Sequence, residues 1–263
     1  LLGGVAVHVP LYEEDNYQIR IEEFEKRLTP KTKMVLITHP NNPTTTVFRR
    51  ESIEKLCEFI VKNDLILVSD QAFEDHIYDD IEFVIPATLP GMWERTVTVC
   101  SISKGIGLSG LRIGYIYADD KIMDVLYGGA VNVLGAASTV SSIGAIAALK
   151  DEEHLRNTYN RLERRRRLAY EVFSKIPGVT LTMPESGILC WLNVSKLGTA
   201  KEASAQILED AHILVNEGTP YGFQGEGHLR IVIACFNDDD EAVEAFNRIA
   251  SALKKLANQK GIN

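Results

Sequence analysis

Short apolar runs alternate with amphipathic stretches through the first half of the chain. Runs at 34–38, 65–70 and 96–101 have the length of buried strands, and apolar positions recur at helical spacing across 51–62. Strands separated by an amphipathic helix are the signature of βαβ units, so a largely parallel sheet covered by helices is predicted. A further strand is expected over 112–118. Helical periodicity then dominates 120–174, where the small residues Ala136, Ala137, Ser138, Ser141, Ser142 and Gly144 suit close helix packing.

Beyond Pro177-Gly178 the pattern changes to α+β, with strands expected at 189–194, 213–216 and 228–234 and helices at 200–211 and 238–256. The fold class is therefore α/β: a three-layer, mostly parallel sheet followed by a smaller C-terminal α+β domain. No Gly/Pro/Ser linker separates the two, which puts the boundary inside the helical stretch 151–174. The expected division is a large domain over 1–160 and a small one over 161–263. No internal repeat and no low-complexity tract interrupts the pattern.

A chain of 263 residues with 45% apolar content can bury the core of one large or two modest domains. No apolar run approaches the roughly 20 residues of a membrane-spanning helix. Residues 1–20 lack the zones of a signal peptide, so a cytoplasmic address and no membrane partner are expected. The net charge of −8 argues against nucleic acid as a partner. The basic run at 161–167 reads as a solvent-facing helix surface. Cys57, Cys100, Cys190 and Cys235 lie far apart in apolar segments, as buried reduced thiols would. The six histidines show no metal-ligand spacing, and no metal is expected. The chain opens at Leu1 inside an apolar phrase, without methionine, and reads as a fragment.

Three polar phrases stand at the carboxyl ends of predicted parallel strands, the edge where open α/β sheets bind ligands. Ser101-Ile102-Ser103-Lys104 follows the strand 96–101, with Gly110, Arg112 and Gly114 beyond it. A lysine ending a buried strand is costly to keep charged, so its pKa is expected to fall and its amine to become a usable nucleophile. Taken alone, such a lysine is more often a surface residue. Arg112 and the hydroxyls of Ser101 and Ser103 suit a phosphate. The second phrase delivers Asp70 to the same edge; it is either a cap for the next element or the partner of a buried cation. The third, His39-Pro40-Asn41-Asn42-Pro43-Thr44, fixes the Asn42 amide between prolines, where it can donate to an anionic oxygen. Far downstream, Arg230 lies in a strand of the small domain. It is either a surface residue or a bidentate carboxylate binder.

Residues 101–114, Ser-Ile-Ser-Lys-Gly-Ile-Gly-Leu-Ser-Gly-Leu-Arg-Ile-Gly, fit the cofactor-attachment pattern of class I and II aminotransferases at every constrained position. The chain resembles that pyridoxal 5'-phosphate (PLP) family over nearly its whole length. The resemblance implies the fold of the PLP-dependent transferases and an amino-group transfer between an amino acid and a 2-oxo acid. It makes Lys104 the covalent carrier of the cofactor and the base at the substrate Cα. Ser101, Ser103 and Arg112 would hold the phosphate, Asp70 the pyridine nitrogen and Asn42 the phenolic oxygen. Arg230 would bind the substrate α-carboxylate, and Asn42 would also contact the substrate. A homodimer is also implied. The same residues would serve a C–S lyase or a decarboxylase, or the effector domain of a transcriptional regulator.

Two positions depart from the family pattern. Phe73 stands where an aromatic hydroxyl is usual, so it packs against the cofactor without that hydrogen bond. Thr45 stands where glycine is preferred, which matters if the position needs positive φ. Family members also begin their large domain well before Leu1. The expectation is that this chain alone binds PLP weakly and does not turn over.

Overall fold

The computed structural model describes residues 3–262. They fall into two compact units, one of residues 18–42 and 46–159, the other of 3–17, 43–45 and 160–262.

In the first unit, α1 (Ile21–Glu25) precedes β1 (Met34–Thr38), α2 (Arg50–Lys62), β2 (Ile66–Asp70), β3 (Thr96–Ser101), β4 (Gly114–Tyr117), α3 (Asp120–Val133) and α4 (Thr139–Leu149). The sheet order is β1-β2-β3-β4; the first three strands are parallel and β4 is antiparallel. Helix α2 explains one crossover. Its buried Ile53, Leu56, Cys57 and Ile60 recur at three- and four-residue intervals, and Phe59 meets Phe24 of α1 edge-on at 6.1 Å between ring centres. No helix lies between β3 and β4, only a 3₁₀ turn at Ser109–Leu111, so the chain returns antiparallel. The strand expected from 112 begins at Gly114 because Arg112 is left-handed, at φ 56°. Gly114 itself is required: a Cβ there would lie 2.8 Å from the carbonyl oxygen of Cys100.

The long helical stretch breaks into three. Gly135, at φ 72°, follows α3, and the Ser138 hydroxyl caps α4 by accepting from Ser141 N at 3.3 Å. Asp151 likewise accepts from His154 N at 2.9 Å where α5 (Glu152–Phe173) begins. The boundary between the two units falls within α5.

The second unit continues with β5 (Leu189–Asn193), α6 (Ala200–Ala211), β6 (Asn216–Glu217), β7 (His228–Val232) and α7 (Asp239–Gln259). Its sheet, in the order β5-β7-β6, is antiparallel throughout. A reciprocal box of Thr199 and Glu202 caps α6. The strand expected over 213–216 is reduced to two residues, because α6 ends on a left-handed His212 (φ 54°) and the chain pairs only from Asn216. Phe173, Leu192, Ile207, Ile231, Phe246 and Leu253 belong to one continuous core.

Two expectations are corrected. The basic run is not a solvent-facing surface, since Arg165 and Arg166 are fully buried. Arg165 pairs through Nε with Asp239 (3.0 Å) and donates to the Phe236 carbonyl (2.9 Å); Arg166 donates to the Pro184 carbonyl (2.9 Å). Both arginines share a helical stripe with the buried Leu162, Ala169 and Phe173, so their guanidinium donors satisfy carbonyls the core would otherwise orphan. Cys235 is exposed rather than buried, while the other three cysteines are buried as expected.

Candidate active site

Strand register assembles the site. Thr38 of β1 pairs with Asp70 of β2, which pairs with Val99 of β3. The three parallel strands therefore end together, and the ladder continues one step beyond them: His39 N donates to the Asp70 carbonyl and Gln71 N to the Val99 carbonyl, each at 2.8 Å. Asn42 leaves this edge from β1, Asp70 from β2, and Ser101 to Lys104 from β3. Arg112 joins them because Gly114, two residues on, pairs with Ser101.

Asp70 is half-buried. Ala72 N donates to its Oδ1 at 3.0 Å, and among the described residues no cationic side chain pairs with it. A carboxylate so placed has room for an external cationic partner. The half-buried Lys104 likewise has no carboxylate partner among the described residues. Its carbonyl accepts from Gly107 N at 3.1 Å, which turns the chain tightly after the lysine. Ser101 Oγ accepts from Ser103 N at 3.1 Å, bringing both hydroxyls to the start of the same turn. Arg112 is exposed, with one guanidinium nitrogen on the Ser109 carbonyl at 2.9 Å. A carboxylate lacking a cation, an amine lacking a carboxylate, two hydroxyls and a guanidinium form a donor set that fits a phosphorylated pyridine aldehyde.

The surroundings exclude competitors. Burial pushes the Cys100 thiol, one residue before Ser101, up to about 12, so it is protonated at neutral pH and no rival nucleophile. His39 is fully buried between the rings of Phe48 and Phe83 and bonds the Val84 carbonyl at 3.2 Å; it is a packing residue. Phe73 is buried. Among the described residues no cluster of His, Cys, Asp or Glu is arranged to hold a metal ion. Thr45 answers the open question about glycine: its φ is 65°.

Arg230 belongs to the second unit, in the middle strand β7, opposite Trp191 on β5 and Asn216 on β6. Its Nε and Nη2 both donate to Asn216 Oδ1, at 3.3 and 2.8 Å. The guanidinium carbon stands 5.2 Å from the centre of the Tyr221 ring. Neither Asn216 nor Tyr221 was found from the sequence. The signal was the cross-strand register, which a two-residue β6 does not reveal.

The model of the family described as aminotransferase class I and II matches residues 1–249. An aspartate aminotransferase of Pyrococcus abyssi is 33% identical, covering 97% of this chain and 66% of its own length. An aromatic-amino-acid aminotransferase of Thermococcus litoralis is 32% identical with the same coverage. Among solved structures, an aromatic aminotransferase from Pyrococcus horikoshii superposes with a TM-score of 0.88 at 32% identity, covering 95% of this chain and 67% of that one. The chain thus spans about two thirds of the length of the relatives it matches.

Proposed function

Because the chain belongs to the class I and II aminotransferases, whose cofactor is pyridoxal 5'-phosphate, we propose that it transfers an amino group between an amino acid and a 2-oxo acid. The observation that carries this reading is the shared strand edge from which Asn42, Asp70, Lys104 and Arg112 all emerge. When bound, the cofactor supplies an electron sink that acidifies the substrate Cα–H.

The protein's own groups supply the rest. Lys104 Nζ would hold the cofactor aldehyde and, when not so engaged, would be the base that takes the substrate Cα proton. Asp70 would supply the negative charge that favours a protonated ring nitrogen. Ser101, Ser103 and Arg112 would hold the phosphate, Asn42 would donate to the phenolic oxygen and Phe73 would pack against the ring. Arg230 receives the substrate carboxylate through a planar pair of N–H donors. The large domain is assigned to 1–160 and the small to 161–263, supported by the compact grouping of residues 160–262, although 3–17 and 43–45 cluster with them. A cytoplasmic homodimer acting on amino acid and 2-oxo acid substrates completes the proposal and rests on the family resemblance.

Incubating the intact protein with PLP, a panel of amino acids and 2-oxoglutarate tests the reading. A new 2-oxo acid formed in step with glutamate is expected, and Lys104→Ala should lower the rate by more than about a thousandfold, since it removes both the tether and the base. Release of ammonia in place of glutamate would identify lyase chemistry and sink the proposal.

A further inference from the structure

The second unit surrounds one cation with a construction of its own. Arg230 sits in the central strand of three, and its two cross-strand neighbours, Trp191 and Asn216, share its face of the sheet. Asn216 Oδ1 accepts from both Nε and Nη2, so a single oxygen grips one edge of the guanidinium and sets its plane. The Tyr221 ring lies against the cation and is itself braced edge-on by Trp191, with ring centres 5.9 Å apart. Tyr221 ends a short 3₁₀ turn, Thr219–Tyr221. That turn is held close by Gly218 and Gly225: a Cβ on either would fall 2.0 Å from the other's carbonyl oxygen.

Asn216 is a neutral acceptor in a chain of net charge −8. The acidic residues of the same segment are engaged elsewhere: Glu217 accepts from the Ser204 hydroxyl at 3.0 Å and Glu226 from Ala200 N at 3.0 Å. An amide oxygen orients a guanidinium without cancelling its charge, whereas a carboxylate there would do both. An arginine side chain carries about 2 kcal/mol of rotamer entropy, and fixing it beforehand spares an incoming ligand that cost. We propose that Asn216 is the positioning residue that presents the Arg230 guanidinium to the substrate carboxylate. The assignment rests on the reading of Arg230 as the carboxylate-binding residue.

Two measurements on the intact protein test it. The first is the ¹⁵N–¹H signal of the Arg230 Nε–H. It should be slow-exchanging in wild type and in Asn216→Asp, which keeps the acceptor, and lost to exchange in Asn216→Ala. The second is steady-state kinetics with PLP bound. Asn216→Ala should raise KM for both amino acid and 2-oxo acid about tenfold with kcat within about threefold, as expected for losing a hydrogen bond to a charged group. Asn216→Asp should raise KM further despite keeping the Nε–H signal, because its carboxylate competes with the substrate carboxylate for the guanidinium. Arg230→Gln is the reference and should raise KM about a hundredfold or more. If Arg230→Gln raises KM while Asn216→Ala leaves both KM and the Nε–H signal unchanged, the positioning role fails and the reading of Arg230 stands. Unchanged KM in Arg230→Gln overturns that reading, and the positioning role with it.

Discussion

In the second unit, helices α6 and α7 bury Ala203, Ile207, Ala211, Phe246, Ile249 and Leu253 in a core continuous with β5 and β7. In the first unit, α3 has no buried residue and α4 buries only Ala145. Yet α3 and α4 are as apolar as a core helix. Val125, Tyr127, Val133 and Leu134 of the α3 region and Val140 and Ile143 of α4 are all exposed, Leu134 at 81%. The contrast separates two quantities that hydrophobicity alone merges, the apolar area a helix offers and the apolar area this chain removes from water. Only the second stabilises the fold.

The largest test of that contrast is a pair of truncations. Phe246 is fully buried, with ring contacts to Phe173 at 5.4 Å and Phe236 at 5.7 Å. Phe246→Ala should cost about 3–5 kcal/mol through lost burial and the cavity left behind. Leu134→Ala, also a large apolar truncation, should change stability by no more than about 0.5 kcal/mol. Denaturant titration, with amide exchange resolved to β5 and β7, measures both. Comparable losses would show that α3 is covered in solution and would break the contrast.

Acid should separate the units next. His39 and His76, both in the first unit, are buried, and burial lowers each to about 4. The bond to the Val84 carbonyl opposes that shift at His39 without reversing it. A histidine held neutral in the folded state binds its proton more readily when unfolded. Its stabilisation is complete above about pH 6.5 and is lost as pH falls towards 4, on the order of 2 kcal/mol for each. Glu74 and Asp75, pushed up by desolvation, act in the opposite sense at the lower end and trim the loss. In the second unit the hydrogen bond from His228 holds Glu13 down. Burial would raise Asp239, but the bonds from Arg164 and Arg165 outweigh it. Those contributions persist until pH falls below the ordinary carboxylate range, near 4. Amide exchange corrected for intrinsic rates should show β1 to β3 weakening between pH 6.5 and 4.5 while β5 and β7 hold. Parallel weakening in both units would count against it.

The same division marks what the sequence made legible. Strands β1 and β3 were read to the residue, because an apolar run bounded by polar phrases has few other solutions in an α/β chain. The carboxyl ends of β2 and β3 put Asp70 and Ser101 at one edge. The arginines of α5 were misread because charge was weighed above periodicity, though positions 162, 165, 166, 169 and 173 already formed a stripe. Strand β6 and the Asn216 contact escaped because two residues of pairing leave no period to detect. The exposure of α3 was invisible for a deeper reason: a pattern reports which face would gain from burial, not whether anything meets it.

The smallest effect lies at the short segment 43–45, which clusters with the second unit while both flanks belong to the first. Thr45 is buried there at φ 65°, and its carbonyl accepts from the Ser186 hydroxyl at 2.7 Å. A β-branched residue in the left-handed region is strained by about 1–2 kcal/mol. Glycine removes that strain and keeps the carbonyl, but it adds about 0.5–1 kcal/mol of unfolded-chain entropy. Thr45→Gly should therefore stabilise the protein by about 0.5–1 kcal/mol, seen as a higher denaturant midpoint at unchanged slope. Thr45→Ala keeps a Cβ in the same backbone region and should recover less. An alanine variant more stable than the glycine one would move the strain from the backbone to the packing of the threonine side chain. The contact with Ser186 would then hold the turn without forcing its conformation.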